Sequence, residues 1–184
     1  ILGNVQALTE YLPVSSSAHI RIIGDLMLGA DPGAAFTAII QIGTELAVIL
    51  YFRRDIINIL SHWFGCLFGK NGPDWRARMG RGDKYATLGW NVIVGSIPII
   101  ILGFTLQNII ETSLRNLWIT VTVLFLFGLL LWIVDARSRQ IKTMDDMNYR
   151  DAFLFGLGQS MALIPGVSRS GGTITVGRAL GYTR

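Results

Sequence analysis

Two long runs of uncharged, mostly apolar residues dominate the hydropathy pattern of the chain. Residues 86–110 contain no charged side chain, and neither do residues 117–134, which read LWITVTVLFLFGLLLWIV. A membrane-spanning helix needs about 20 consecutive apolar residues at a rise of about 1.5 Å per residue. Both runs are therefore predicted to be transmembrane helices. A third candidate, residues 33–52, is interrupted only by Glu45.

Two other apolar segments do not match a continuous transmembrane helix. Residues 1–28 contain Pro13, residues 152–168 contain Pro165, and serines follow each proline. Proline removes a backbone N–H donor and breaks helices, and irregular backbone at membrane depth must be buried in protein or line a polar cavity. We therefore expect each segment to form two half-helices that flank a polar loop.

The two broken segments share a short internal repeat. Each has a glutamine in its first half, a proline six or seven residues later, and then a serine cluster: Gln6, Pro13 and 15–17 in one, Gln159, Pro165 and 168–170 in the other. Interrupted helices at corresponding positions of two halves indicate a binding site where the halves meet. A chance similarity between two small-residue loops is the alternative interpretation.

Composition supports the membrane interpretation. Hydrophobic residues make up 51% of the chain and charged residues only 15%, against about 25% charged residues in soluble domains. A single cysteine, Cys66, excludes an internal disulfide, and no Cys/His cluster indicates a zinc site. The chain begins with Ile1 rather than Met, so we interpret residues 1–184 as a fragment of one transmembrane domain.

The net charge of +4 is explained by membrane topology. The predicted loop 53–85 carries seven basic and three acidic residues, whereas Arg115 is the only basic residue of the predicted loop 107–116. Basic residues accumulate in cytoplasmic loops. Loop 53–85 is therefore predicted to lie inside and loop 107–116 outside. The basic excess then gives no support for a nucleic-acid partner.

The loop PGVSRSGGT, residues 165–173, has the composition of an anion-binding turn. A glycine-rich turn at the start of a helix presents backbone N–H groups and the positive end of the helix dipole to an anion. The guanidinium of Arg169 matches phosphate oxygens in shape and charge. The alternative is an ordinary helix N-cap beside an arginine that reaches the membrane surface.

The first loop contributes a carboxylate, hydroxyls and an imidazole. Gln6 and Glu10 are four residues apart, so they share one helix face, and a carboxylate in an apolar segment indicates function. The serines of residues 15–17 and the nearby His19 are candidates for a nucleophile and its base. The alternative interpretation is that these serines only cap the following helix.

With these residues in view, QALTEYLPVSSSAH (6–19) and PGVSRSGGT (165–173) resemble the two motifs of the bacterial undecaprenyl-diphosphate phosphatase family, of the bacitracin-resistance type. The intervening segment IIQIGTELAVILYFRRD is similar as well. The resemblance implies an enzyme that hydrolyses undecaprenyl diphosphate to undecaprenyl phosphate and inorganic phosphate, which recycles the lipid carrier of peptidoglycan synthesis. It also implies an all-α polytopic fold with inverted-topology repeats and re-entrant helix hairpins, and further helices beyond the second motif.

The resemblance further implies a multi-pass protein of the plasma (inner) membrane with its active site facing outward. The expected cofactor is a divalent cation, Mg²⁺ or Ca²⁺. The expected partners are a polyprenyl diphosphate lipid and the bilayer, and a second copy of the chain is a candidate partner in a homodimer.

The predicted site residues follow from the two motifs. The expected catalytic residues are Glu10, Ser16, His19 and Arg169, and Glu10 is also the expected metal ligand. Ser16 is the preferred nucleophile with His19 as base or orienting group, and metal-activated water or His19 are the alternative nucleophiles. The expected substrate-binding residues are Gln6, which stands where some family members have Glu, with Ser15, Ser17, Gly166, Ser168, Ser170 and Thr173.

Two questions stay open at this point. Interrupted helices with a buried Glu, Arg and Ser set are also typical of a secondary transporter or lipid translocase with an anion site in the membrane. Glu45 matches neither motif. Because an unpaired carboxylate in a span is costly, we expect Glu45 to face the protein interior beside a hydroxyl or a cation.

Overall fold

The computed structural model describes residues 1–30, 32–112 and 116–183, and side chains other than those of Ala34 and residues 107–112. These residues form nine α-helices and no β-strand, which confirms the all-α prediction. The helices are α1 (Leu2–Thr9), α2 (Ser16–Leu28), α3 (Ala34–Tyr51), α4 (Arg53–Leu67), α5 (Trp75–Arg78), α6 (Lys84–Thr112), α7 (Leu117–Arg137), α8 (Tyr149–Ser160) and α9 (Arg169–Ala179).

The two charge-free runs form the helices that are long and apolar enough to span a membrane. The spanning stretches are Lys84–Leu106 of α6 and Leu117–Arg137 of α7. Pro98 lies inside α6 without ending it, as transmembrane helices tolerate. On α7 the side chains of Trp118 and Phe125 are 79% and 71% exposed, a surface that suits lipid. Arg115, the one basic residue of the predicted loop 107–116, lies outside the described residues.

The third candidate span differs from the prediction at its C-terminal end. Residues 53–67 were expected to be loop, but they form α4, which is bent by 72° from α3. Taken together, α3 and α4 qualify as one broken or re-entrant span. The loop prediction was wrong because it relied on the number of basic residues in 53–85 and overlooked the spacing of the apolar residues among them. Apolar residues at helical spacing (Ile56, Ile59, Trp63, Cys66) form the inward face of α4.

Both proline-containing segments are broken as predicted. The first forms α1 and α2 with a turn at residues 10–15, and the second forms α8, a 3-10 turn (Met161–Leu163) and α9. The breaks lie after Thr9 in the first segment and after Ser160 in the second, so each segment consists of two helices rather than one. Neither segment therefore crosses a bilayer as one continuous helix.

Close contacts between glycines hold the α8–α9 hairpin in the bundle. A Cβ atom at Gly156 would overlap the carbonyl oxygen of Gly95 on α6, and one at Gly172 on α9 would overlap that of Gly158 on α8. Small residues let membrane helices approach to backbone contact. The α8–α9 hairpin, which carries the second motif loop between its helices, is thereby fixed against α6.

Replacing Gly156 by Ala is expected to destabilise the full-length protein by about 1–3 kcal/mol, because the added methyl group forces α8 away from α6. The melting temperature in detergent measures this effect. Gly103→Ala is the matched control, since Gly103 lies on α6 with no atom within 4 Å of its Cβ position. Equal melting temperatures for the two variants would contradict the packing described here.

A buried polar cluster fixes the far end of α9. Arg178 is 2% exposed, and its Nε and Nη1 donate to the Asp135 carboxylate at 2.5 Å and the Tyr182 carbonyl at 2.8 Å. Tyr182 Oη and Lys142 Nζ donate to Asp151 Oδ2 at 2.7 and 2.9 Å. Burial alone would raise the pKa of Asp151, but these hydrogen bonds outweigh it and lower the pKa. The cluster connects α7, α8 and α9 and so limits movement of the hairpin.

Candidate active site

The first motif loop ends in a sharp turn that leads into α2. Ser15 is the N-cap of α2, and its Oγ accepts a hydrogen bond from the Ala18 N–H at 3.4 Å. Its φ of +61° lies in the left-handed region, which is uncommon for a residue other than glycine. This conformation makes Ser16 the first residue of α2 and brings its side chain back toward α1.

Glu10 is the partner of the Ser16 hydroxyl. Glu10 Oε2 accepts a hydrogen bond from Ser16 Oγ at 2.5 Å and another from Gln6 Nε2 at 2.8 Å. Hydrogen bonds from a hydroxyl to a carboxylate are short and strong because the acceptor is charged. The carboxylate is therefore positioned to accept the hydroxyl proton, and the buried Gln6 holds the carboxylate in place.

His19 is oriented by the backbone of the same turn. Its Nδ1 lies 2.9 Å from the Ser15 carbonyl oxygen. A carbonyl only accepts hydrogen bonds, so Nδ1 is the donor in this contact and Nε2 is directed away from it. The role of His19 as base stays a prediction, because the short hydrogen bond of Ser16 goes to Glu10.

The second motif loop repeats the capping pattern of the first. Ser168 is the N-cap of α9, and its Oγ accepts a hydrogen bond from the Gly171 N–H at 3.2 Å. Thr173 Oγ1 donates to the Arg169 carbonyl at 2.9 Å. Gly166 has a φ of +103°, and a Cβ there would lie 2.5 Å from the Thr120 carbonyl oxygen of α7. Gly166 is thus required by close packing against α7.

The internal repeat extends to atomic contacts. Ser15 and Ser168 are N-caps, and each N-cap Oγ is paired with the Oγ of the serine two residues later, at 3.2 Å to Ser17 and 3.0 Å to Ser170. Ser16 and Arg169 consequently occupy the same position, the first residue of the helix, in the two halves. The serine pairs at both helix starts favour a true repeat over chance similarity. Direct contact of Ser15, Ser17, Ser168 or Ser170 with phosphate stays a prediction.

The two motif loops touch each other. Ser170 Oγ donates to the Leu12 carbonyl oxygen at 3.1 Å, although the two residues are 158 positions apart. A Cβ atom at Gly171 would lie 3.5 Å from the Pro13 carbonyl oxygen. The candidate nucleophile and the candidate phosphate-binding arginine therefore belong to loops in direct contact, as the repeat predicted.

Helix α3 contributes two neighbouring side chains to this region. Thr44 Oγ1 accepts a hydrogen bond from Gln6 Nε2 at 3.4 Å, and Glu45 Oε1 lies 3.4 Å from Arg169 Nη1. The expectation of a cation beside Glu45 is confirmed. The expectation that Glu45 faces the interior is wrong, since its side chain is 57% exposed. The carboxylate instead meets the arginine at the open side of the second loop.

The donor set suits a cation that also binds substrate oxygens. Among the residues the structure describes, no three or more His, Cys, Asp or Glu side chains form a group able to hold a metal ion. Mg²⁺ is commonly held by one or two carboxylates together with substrate phosphates. Glu10, with the Gln6 amide and the Ser16 hydroxyl beside it, fits a site in which one carboxylate and the substrate phosphates together hold the ion.

Comparison with known proteins decides the family. A family model described as bacitracin resistance protein BacA matches residues 1–184. The chain belongs to this family. This match confirms the family that the two motifs indicated.

Relatives of this BacA-family chain carry the name undecaprenyl-diphosphatase. The protein from Bifidobacterium longum subsp. infantis is 89% identical over 184 residues, which are 100% of this chain and 63% of the relative. The Bifidobacterium adolescentis protein is 71% identical over 183 residues, which are 100% of this chain and 62% of the relative. The Micrococcus luteus protein is 55% identical over 185 residues, which are 100% of this chain and 64% of the relative. The chain thus spans less than two thirds of the length of these relatives.

Sequence reasoning missed Thr44 as a site residue and left Glu45 of the BacA-family chain without a role. One signal was available, because Glu45 is the single charged residue of residues 33–52. An ionisable residue inside a span is a functional candidate by default. Its partner Arg169, however, lies 124 residues further along the chain, so only the fold reveals the pair.

Proposed function

We propose that the full-length protein removes the terminal phosphate of undecaprenyl diphosphate and so releases undecaprenyl phosphate and inorganic phosphate. The observation that carries this proposal is the Ser16–Glu10 hydrogen bond in a loop that touches the arginine-bearing loop. The relatives named undecaprenyl-diphosphatase support the choice of substrate. The product is the lipid carrier of peptidoglycan synthesis.

The site binds the headgroup through charge. A diphosphate at the membrane carries several negative charges that need donors and cations. Arg169 contributes a planar pair of donors, and the starts of α2 and α9 contribute backbone N–H groups and the positive ends of two helix dipoles. A divalent cation, Mg²⁺ or Ca²⁺, held by Glu10 and the diphosphate would neutralise further charge.

Ser16 acts as the nucleophile in the proposed reaction. Its Oγ attacks the terminal phosphorus, the bond from that phosphorus to the bridging oxygen breaks, and undecaprenyl phosphate leaves with the oxygen. The hydroxyl proton passes to Glu10, which already accepts it in a hydrogen bond. Water then hydrolyses the phosphoserine and releases inorganic phosphate. Positioning and charge stabilisation supply most of the catalysis in such transfers.

The membrane placement follows from the charge pattern. Basic residues concentrate between α3 and α6, which supports a cytoplasmic position for that region by the positive-inside rule. We propose the plasma (inner) membrane as the location, with the headgroup site open to the outer face. The homodimer stays a prediction.

Phosphate release from undecaprenyl diphosphate by the full-length protein in detergent tests the proposed function. We expect release of inorganic phosphate that stops with a chelator and returns with Mg²⁺ or Ca²⁺. Detergent micelles have no compartments, so a transporter or lipid translocase would release no phosphate. Absence of release by folded protein with added cation would contradict the enzymatic proposal.

A further inference from the structure

Glu45 lies in the apolar helix α3, where a carboxylate requires a partner or access to water. A charged side chain within a membrane span costs several kcal/mol unless it is paired or hydrated, roughly 2.5–3.5 kcal/mol on insertion scales. The ion pair of Glu45 is with Arg169, at 3.4 Å between Oε1 and Nη1. Gln41 Nε2 on the same helix donates to Glu45 Oε1, also at 3.4 Å. Together, Glu45 and Arg169 form a pair with no net charge.

The position of Glu45 is fixed by its neighbour. Thr44 Oγ1 accepts a hydrogen bond from Gln6 Nε2, and the Thr44 carbonyl accepts one from Tyr11 Oη at 2.8 Å. Thr44 Oγ1 also donates to the Gln41 carbonyl at 2.8 Å. These contacts tie α3 to the first motif loop, so Glu45 is held beside the site on a helix rather than on a mobile loop.

The ion pair is weak enough to be displaced. Its single contact is long for a charge-assisted hydrogen bond, and the side chains of Arg169 and Glu45 are 47% and 57% exposed. Exposed pairs of this kind contribute about 0–1 kcal/mol. A phosphate group binds arginine through two parallel, charge-assisted hydrogen bonds, which are stronger and geometrically better matched.

We propose that Glu45 is a positioning residue that holds the Arg169 guanidinium while the site is empty, yields it to the terminal phosphate, and takes it back as inorganic phosphate leaves. The inference rests on the proposed function, because the phosphate it competes with is that of the substrate and product. Glu45 thereby lowers the affinity of the site for its product.

The test compares inhibition by inorganic phosphate in the wild-type full-length protein and in Glu45→Gln. Without the competing carboxylate, Arg169 is free for phosphate, so the inhibition constant for phosphate should fall about three- to fivefold, which is the upper part of the range that a pair worth about 0–1 kcal/mol allows. The KM should fall with it. Glu45→Asp keeps the charge and should restore part of the wild-type inhibition constant. Asp145→Asn, in the exposed Lys84–Asp145 ion pair, is the matched control and should change neither value.

Two outcomes would overturn the inference. One is an inhibition constant within twofold of wild type in Glu45→Gln. The other is a higher KM with a lower kcat, which would make Glu45 a support for substrate binding rather than a competitor. If Glu45→Gln does not fold, Glu45→Asp must still show an inhibition constant below that of wild type, because the shorter side chain weakens the pair.

A readout without turnover separates this inference from the proposed function. Inorganic phosphate should raise the melting temperature of Glu45→Gln at a lower concentration than that of the wild-type protein, by the same three- to fivefold factor. If the wild-type protein releases no phosphate from the lipid, the proposed function fails, and the melting curves still decide whether Glu45 competes for Arg169. Equal phosphate dependence in both proteins refutes the competition whatever the turnover.

Discussion

Replacing Ser16 by Ala in the full-length protein is expected to lower the rate of phosphate release by at least about a thousandfold. The substitution removes the oxygen proposed to attack the phosphorus and leaves Glu10 without the hydroxyl that it binds. The initial rate of phosphate release at saturating lipid substrate measures the loss. The substrate KM should change much less, because Arg169 and the helix N-termini still bind the headgroup.

Ser61→Ala is the matched control for Ser16→Ala. Ser61 is an exposed serine on α4 whose hydroxyl donates to the Asn58 carbonyl oxygen at 3.1 Å, within one helix. Its loss should leave turnover unchanged. If Ser16→Ala kept turnover within tenfold of wild type, Ser16 would not be the nucleophile, and water or His19 would take that role.

Arg169→Lys is expected to lower kcat/KM by about 10²–10³-fold although the positive charge is kept. An ammonium group is a point charge and cannot reproduce the planar pair of donors that a phosphate accepts. Steady-state kinetics of phosphate release measure the effect on kcat and KM separately. We expect both to change, since the arginine contacts the phosphate before and during transfer.

Arg150→Lys is the control for this substitution. Arg150 is exposed at the start of α8, on the same hairpin as Arg169 but at the other end of the helix that precedes the loop. Its replacement should leave kcat/KM unchanged. An Arg169→Lys variant with more than about a third of wild-type kcat/KM would show that charge alone is sufficient at this position.

The spanning helices and the two breaks were predictable from local sequence. The absence of charge over 86–110 and 117–134 and the prolines at 13 and 165 are local signals that packing does not override. Helix α4 was missed because its apolar residues recur at helical spacing among basic side chains, so charge counting hid the periodicity.

The sequence predicted that the two motif loops meet, but it did not predict the contacts between their side chains. The Glu10–Ser16 hydrogen bond spans a helix break whose shape depends on the positive φ of Ser15, and no residue preference at that position indicates it. Sequence proximity favoured His19 as the partner of Ser16, yet the turn directs His19 Nδ1 to a backbone carbonyl. The Glu45–Arg169 pair depends entirely on how α3 packs against the second loop.

The most direct test of the account is a structure of the full-length protein with a non-hydrolysable diphosphate lipid analogue, in which a methylene group replaces the bridging oxygen. We predict that the terminal phosphate lies within about 3.5 Å of both Ser16 Oγ and the Arg169 guanidinium, with Glu45 released from the arginine. A headgroup held by one motif loop alone, or bound away from both loops, would contradict the account.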